Sequence, residues 1–169
     1  NGSVRVKSNL LIDIGNTRIK WATDSKQAFE PGNRYLSDGF QVQKLFEKGW
    51  DDLDPESVLI SSVGNQELYQ KISNAIISHW GLEPDRLISP ARANGVTNAY
   101  AEPKKLGSDR WAAMVGAYDQ LKTAVCVVDC GTAATLDLVA ADGQHQGGLI
   151  APGINLSQQC LQSGTEIVF

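Results

Sequence analysis

The chain has 169 residues, of which 42% are hydrophobic and 20% are charged, enough for one ordinary domain or two small ones. Its formal net charge of -4 disfavours nucleic acid as a partner, because the overall field repels a phosphate backbone. No apolar run approaches the length of a bilayer span and residues 1–9 do not resemble a signal peptide, so we expect a cytoplasmic protein without a membrane partner.

The predicted elements begin with a hairpin. Residues 9–14 are predicted as a strand, residues 15–17 as a turn and residues 18–23 as the returning strand. The sequence EPGNR at residues 30–34 predicts a second turn.

Strands and helices alternate after this point, as is typical of an α/β protein. The pattern predicts a helix, a strand, a helix ended by Gly81 and a short strand, over residues 42–49, 58–63, 67–80 and 86–89.

Residues 90–105 are small, polar and proline-containing, which predicts a long functional loop around Tyr100. A helix follows over residues 108–121, with Ser108 or Asp109 as its predicted N-cap. Its predicted apolar face contains Trp111, Met114, Val115, Tyr118 and Leu121. A buried strand is predicted over residues 124–130.

The first hairpin has a second copy in the sequence. LLIDIGNTRIKWATD at residues 10–24 and CVVDCGTAATLDLVA at residues 126–140 both predict a strand that ends in Asp, then a Gly turn and an outgoing strand. This duplication predicts two related domains that hold a nucleotide between them.

The two turns have the groups that phosphate binding requires. A glycine two residues after the aspartate can expose backbone N–H groups, and Asn16, Thr17 and Thr132 add side-chain donors. Arg18 and Lys20 are two residues apart and share one face of the outgoing strand. A single Asp-x-Gly turn is more often structural, and the second copy favours a functional interpretation.

The sequence LGSDRWAA at residues 106–113 offers a third cluster. Asp109 could accept a hydroxyl proton and Arg110 could hold a small acid, although Arg110 could equally be an exposed residue in the first helical turn.

Four further features have weaker predictions. Asp137 is a further polar candidate, whereas His79 and His145 match no triad or metal cage and are assigned surface or core roles. QGGLIAPGINL at residues 146–156 predicts two glycine turns around an apolar strand, which suits close backbone approach to a ligand.

The three cysteines form no C-x-x-C pair and have apolar neighbours in sequence. We therefore predict that Cys126, Cys130 and Cys160 are reduced thiols in the core.

In combination, these motifs resemble the type III pantothenate kinase family of the acetate and sugar kinase, Hsc70 and actin superfamily. The motifs occur in the family's order: DIGNTRIK at 13–20, Tyr100 ahead of a proline, GSDR at 107–110, DCGTAATLD at 129–137 and GGLIAPG at 147–153.

The resemblance implies an α/β fold with duplicated actin-like (ribonuclease H-like) domains, in which mixed sheets are flanked by helices. We expect residues 1–9 to be an extension or an added remnant and residues 10–108 to be the first domain. Residues 109–169 would be the linking helix and the start of a second domain that is truncated, and the fragment alone could then be inactive.

The implied activity is transfer of the γ-phosphoryl group of ATP to pantothenate, giving 4′-phosphopantothenate in the first step of coenzyme A biosynthesis. The implied protein is a cytoplasmic homodimer. The resemblance assigns ATP binding to Asp13, Ile14, Gly15, Asn16, Thr17, Arg18, Ile19, Lys20 and Thr132. It assigns pantothenate binding to Tyr100, Gly107, Ser108, Asp109 and Arg110.

Asp109 is similar to the family's proton acceptor. Asp129 resembles the ligand of a monovalent cation, K⁺ or NH₄⁺, and Asp13 would bind Mg²⁺ through water.

Alternatives stay open. One is another kinase of the superfamily that acts on a sugar or short acid, which Tyr100 with GSDR disfavours. Others are a transcriptional accessory protein, which the net charge disfavours as a direct DNA binder, and a non-catalytic nucleotide-binding member of the same family.

Overall fold

The computed structural model describes residues 7–25, 29–36, 39–47 and 49–164. Their contacts divide the chain into two compact units, Asn1–Ile88 and Ser89–Phe169. The division falls earlier than the predicted boundary at residue 108, because Val96 and Leu106 pack in one core with Trp111 and Met114. The assignment of both units to actin-like domains stays a prediction.

Within its described residues, unit 1 contains one five-stranded mixed sheet, two α-helices and a short 3₁₀ helix at Trp50–Asp52. Its strands are β1 (Ser8–Ile14), β2 (Arg18–Asp24), β3 (Phe29–Leu36), β4 (Pro55–Ser62) and β5 (Asp85–Arg86), and its helices are α1 (Gln43–Glu47) and α2 (Gln66–Trp80). The strand order is β3-β2-β1-β4-β5. Strand β1 pairs antiparallel with β2 and parallel with β4, so the mixed sheet predicted from the sequence is confirmed.

The core of unit 1 lies between this sheet and α2. Leu10, Ile12 and Ile14 alternate along β1 with less buried residues, and their buried side chains pack in one cluster with Ile72 of α2. Helix α2 ends at Gly81, which has φ 69° and donates its N–H to Ile77 O. The first hairpin and this helix are therefore confirmed.

The turn predicted at residues 30–34 is wrong, because these residues belong to β3. Strand β3 lies at the edge of the sheet and, among the described residues, pairs there only with β2. The missing N–H of Pro31 therefore interrupts no strand pairing on the other side of β3. The pairing of β2 with β3 shifts register between Lys20 and Ala22, and a Cβ on Gly32 would overlap the ring of Trp21. Pro31 and Gly32 are thus accommodated by the edge position and by the irregularity in pairing.

Unit 2 contains a three-stranded antiparallel sheet in the order β10-β9-β8 and two helices. Its elements are β6 (Arg92–Ala93), β7 (Val96–Thr97), α3 (Ser108–Leu121), β8 (Val125–Cys130), β9 (Ala133–Val139), β10 (His145–Pro152) and α4 (Ile154–Gly164). The predicted long loop is thus interrupted by the β6-β7 hairpin. Asn94 and Gly95 both have positive φ there, as a two-residue hairpin turn requires.

Strand β8 is less buried than predicted. Val125 is buried and Val127 packs against the core below α3, whereas Cys126, Val128 and Cys130 lie on the opposite face and are exposed. Cys160 is exposed on α4, so the prediction of core thiols is wrong for all three cysteines in this structure. The physical reason is that, among the described residues, α3 covers one face of this sheet and the other face is exposed.

Within the described residues, no helix combines the length and apolar character needed to cross a membrane.

Candidate functional site

The first Asp-x-Gly turn joins β1 to β2. Asp13 lies opposite Lys20 in the pairing register, and Lys20 Nζ is 3.3 Å from Asp13 Oδ2. The N–H of Gly15 donates to Arg18 O at 2.9 Å and closes the turn. This hydrogen bond occupies one of the backbone donors that the sequence suggested for phosphate binding.

The residues predicted to bind ATP have two different environments here. The side chains of Ile14 and Ile19 are fully buried in the core of unit 1. Asn16, Thr17, Arg18 and Lys20 are exposed. Arg18 and Lys20 thus share an exposed cationic face, as predicted, and Ile19 lies on the buried face.

The first turn borders a cavity of about 320 Å³ within unit 1. Asn16 Oδ1 would be 2.8 Å from a Cβ on Gly64, so its side chain lies against the segment before α2. Asn65 caps α2 by accepting a hydrogen bond from Leu68 N at 2.9 Å. The cavity is lined by Asn16, Gly39, Phe40, Asn65, Glu67, Leu68 and Lys71. The hydrogen bond from Lys71 lowers the pKa of Glu67.

The second Asp-x-Gly turn joins β8 to β9 in unit 2 and is one residue shorter than the first. Asp129 lies opposite Thr135, and Gly131 N donates to Ala133 O at 3.0 Å. Gly153 N donates to Thr132 O at 2.9 Å, and a Cβ on Gly153 would overlap that backbone. Asp129 is exposed. The sequence thus predicted correctly that both turns form hairpins after an aspartate.

A buried ion pair forms the third cluster. Arg110 in the first turn of α3 donates from Nη2 to Asp137 Oδ1 at 2.6 Å and from Nε to Asp137 Oδ2 at 2.8 Å. The side chains are 7% and 2% exposed. The hydrogen bonds that Arg110 donates to Asp137 raise the pKa of Arg110 above its usual range, although burial opposes that shift. The alternative of an exposed Arg110 is therefore wrong.

His145 and Tyr100 complete this cluster. His145 Nε2 lies 3.2 Å from Asp137 Oδ1, and Ala99 N donates to His145 Nδ1 at 3.4 Å. Because Nδ1 accepts, we assign the proton of the neutral ring to Nε2, which donates to Asp137. The ring of Tyr100 stacks on His145 with centroids 6.2 Å apart, and Tyr100 OH accepts from Arg110 Nη1 at 3.3 Å.

Asp109 lies beside this cluster and is half-buried. Its Oδ1 accepts from Arg110 N at 2.8 Å. The predicted N-cap at Ser108 or Asp109 is wrong, since Gly107 is the N-cap and Gly107 O already accepts from Trp111 N at 3.0 Å. Asp109 instead lies inside the first turn, where its charge complements the helix dipole.

The glycines before the apolar part of β10 do not form the predicted turn. Gly147 and Gly148 lie within β10, where the pairing with β9 shifts register after His145. A Cβ on Gly148 would overlap Asp137 Oδ1 and lie 2.5 Å from Arg110 Nη2. The close approach predicted for a ligand is thus made to the Arg110 and Asp137 side chains.

Sequence reasoning gave too little weight to Asp137 and His145. Asp137 occurs between leucines in a strand, and a buried carboxylate requires a cation or several donors. That rule pointed to a partner for Asp137 but not to Arg110. His145 had no comparable sequence signal, because its contacts depend on the pairing of β9 with β10.

The structure and sites together define an α/β protein that has two hairpins with an Asp-x-Gly turn and a buried Arg-Asp-His cluster. A comparison with protein families identifies the group: the model of the type III pantothenate kinase family matches residues 9–168, and the chain belongs to this family.

Individual relatives agree with that assignment. A type III pantothenate kinase from Nitrosococcus oceani is 36% identical over 163 residues, covering 92% of this chain and 61% of the relative. One from Paraburkholderia phymatum is 40% identical over 167 residues, covering 92% of this chain and 58% of the relative. The chain thus spans about three fifths of the length of these relatives.

Among solved structures, an Aquifex aeolicus Ppx/GppA phosphatase is similar with a TM-score of 0.45 and 11% identity, covering 91% of this chain and 55% of that chain. No conclusion about activity follows from that similarity.

Proposed function

We propose that this chain contributes to an ATP-dependent kinase that phosphorylates pantothenate to 4′-phosphopantothenate, the first step of coenzyme A biosynthesis. The observation that carries the proposal is the match of the type III pantothenate kinase model to residues 9–168. The compact arrangement of Tyr100, Asp109 and Arg110 within unit 2 supports it, since these residues are the ones assigned to the acceptor substrate.

The proposed acceptor site contains Tyr100, Gly107, Ser108, Asp109 and Arg110. Asp109 is the group that would orient the primary hydroxyl of pantothenate and accept its proton. Its hydrogen bond from Arg110 N fixes one carboxylate oxygen at the start of α3. Phosphoryl transfer has a loose transition state and requires mainly positioning and charge neutralisation, so a weak base that accepts the proton late is sufficient.

The proposed phosphate site for ATP is the first turn, from Asp13 to Lys20. The exposed groups there are the Asn16 amide, the Thr17 hydroxyl, the Arg18 guanidinium group and the Lys20 ammonium group. The Lys20 ammonium group lies 3.3 Å from Asp13, so a cation is held next to the turn in unit 1. Thr132 of the second turn is the further residue that we assign to ATP.

The carboxylates of Asp13 and Asp129 fit the proposed cations in donor type, since Mg²⁺ and monovalent cations prefer oxygen ligands. Asp129 is exposed, whereas the Asp13 side chain is 33% exposed, with its Oδ1 buried and its Oδ2 beside Lys20. Among the described residues, no group of three His, Cys, Asp or Glu side chains could hold a metal ion. Water and phosphate oxygens would complete the Mg²⁺ shell, and Asp129 would be one ligand of K⁺ or NH₄⁺. Bound cations would neutralise charge on the phosphates.

A phosphoryl-transfer assay with the full-length protein tests this function. Purified protein is incubated with ATP and Mg²⁺ and offered pantothenate, sugars or short acids, each with and without K⁺. We expect pantothenate to be phosphorylated and the sugars and short acids to stay unmodified. The amount of product should be larger when K⁺ is present. Transfer to a sugar or short acid in preference to pantothenate would identify another kinase of the superfamily.

Three further measurements test the remaining expectations. Light scattering during gel filtration is expected to show a homodimer, and a monomer would contradict that part of the proposal. ATP binding without transfer to any acceptor would instead favour a non-catalytic nucleotide-binding protein. Sequence-specific binding of DNA in a gel-shift assay would favour a transcriptional accessory protein.

A further inference from the structure

We infer that Asp137 and His145 are positioning residues for the acceptor site, and that Arg110 acts through Tyr100 as a fixed anchor. This inference rests on the proposed function, since it concerns the residues assigned to pantothenate. It adds Asp137 and His145 to the acceptor site. It also changes the role of Arg110 from a ligand of the substrate to a residue that holds Tyr100.

The charge of Arg110 is balanced within unit 2. Two of its nitrogens donate to Asp137 and the third, Nη1, donates to Tyr100 OH at 3.3 Å. Its side chain is 7% exposed and its charge is balanced by a carboxylate in direct contact. A guanidinium in this environment is a poor free cation for a substrate carboxylate, because three of its five N–H groups are already used and Asp137 balances its charge.

Asp137 is itself held in place by the hydrogen bonds that its carboxylate accepts. Its carboxylate accepts two hydrogen bonds from Arg110 and one from His145 Nε2. Gly148 leaves the space that the paired side chains occupy, since a Cβ there would overlap Asp137. A buried carboxylate with three donors has a single favourable orientation, so the ion pair is a rigid element of unit 2.

His145 connects this pair to the segment that contains Tyr100. His145 accepts from Ala99 N at 3.4 Å, and its ring lies parallel to that of Tyr100 within 7°. Tyr100 N donates to Asn98 Oδ1 at 3.0 Å, which fixes the neighbouring backbone. His145 is thus the contact through which the buried pair orients both the backbone before Tyr100 and its ring.

Tyr100 is therefore positioned from two sides. Its hydroxyl is held by Arg110 and its ring by His145, and both of these residues contact Asp137. Loss of either contact allows the ring to turn and weakens the acceptor site without altering the first turn in unit 1. The expected signature is a change in the KM for pantothenate and no change in the KM for ATP.

This inference is tested by steady-state kinetics of the full-length protein with His145→Leu or His145→Gln. Removal of both hydrogen bonds by leucine is expected to raise the KM for pantothenate about tenfold, with the KM for ATP changed by less than about twofold. Glutamine retains a donor and an acceptor, so it is expected to raise the KM for pantothenate only about threefold. His79→Leu in unit 1 is the matched control and should leave the KM for pantothenate unchanged.

A mutant cycle with Tyr100→Phe separates positioning from a general loss of stability. If His145 acts through Tyr100, the double variant should be little worse for pantothenate than the more damaging single variant. Independent, multiplying effects would overturn the inference. Equal rises in both KM values, accompanied by a lower Tm, would also overturn it, because that result indicates a merely structural role.

Amide hydrogen exchange provides a readout that does not need activity. We expect faster exchange at Ala99 and Tyr100 in His145→Leu, and unchanged exchange there would contradict the inference. If the wild-type protein transfers no phosphate to pantothenate, the proposed function fails, and exchange at these two amides alone decides whether His145 holds the segment. If His145→Leu does not fold, the kinetic and exchange results of His145→Gln decide.

Discussion

Arg110 and Asp137 meet at two points, with Nη2 2.6 Å from Oδ1 and Nε 2.8 Å from Oδ2. Arg110 lies in the first turn of α3 and Asp137 lies in β9, 27 positions later in the chain. Such a buried pair is stable only when both partners are present and well oriented, because each ion alone has lost its hydration. The pair therefore provides sharp tests of the structure.

The first prediction concerns the space beside this pair. Gly148→Ala should destabilise the protein by about 1–3 kcal/mol, because the added methyl group overlaps the side chains of Asp137 and Arg110. Urea unfolding measures the change. Gly116→Ala in α3 is the matched control, since its Cβ would meet nothing within 4 Å and alanine favours a helix. Equal stability of Gly148→Ala and wild type would contradict the geometry of the pair.

The second prediction compares loss of one partner with loss of both. Arg110→Met or Asp137→Leu alone should cost about 3–5 kcal/mol, because each leaves a buried ion without its partner. The double variant should be more stable than either single variant, since two apolar side chains can pack in the same space.

Chemical unfolding of all four proteins completes this cycle. Asp119→Leu is the control, because Asp119 pairs with Lys122 at the surface and its loss should cost about 0.2–1 kcal/mol. Additive losses in the buried double variant would show that the two side chains do not interact as described.

Part of this structure could be predicted from the sequence, because local patterns determine it. The apolar run that ends at Asp13 predicted the first strand, and the glycine after the aspartate predicted its turn. Gly81 likewise marked the end of α2. In each of these elements the signal lies within a few residues of the structure that it specifies.

Other parts could not be predicted because they depend on contacts between distant residues. Pro31 and Gly32 are typical turn residues, and only the edge position beside β2 makes them part of a strand. The Arg110 contact to Asp137 joins a helix to a strand, and no sequence period relates the two. The exposure of Cys126 likewise depends on which face of β8 is covered by α3.

The third prediction distinguishes the two cations of the first turn. Lys20 stays 52% exposed while Asp13 holds it beside the turn, whereas no ion pair that would position Arg18 is found among the described residues, so Lys20 is the better placed phosphate ligand. We expect Lys20→Met to raise the KM for ATP about tenfold and Arg18→Met to raise it less than about threefold. The KM for pantothenate should not change in either variant. A larger effect at Arg18 would reverse the assignment.

The last prediction concerns the proposed proton acceptor. Asp109→Asn keeps an oxygen that can accept from Arg110 N, so the start of α3 and the Tm should be preserved. The amide cannot accept the hydroxyl proton of pantothenate, and kcat should fall by about 10²–10⁴ while the affinity for ATP is unchanged.

Rapid-quench measurement of phosphopantothenate formation separates this chemical step from product release. Asp119→Asn, on the exposed side of the same helix, is the matched control and should retain the wild-type rate. A rate near that of wild type in Asp109→Asn would show that Asp109 does not accept the proton. In that case its carboxylate would serve only to orient the first turn of α3, where its Oδ1 already accepts from the backbone.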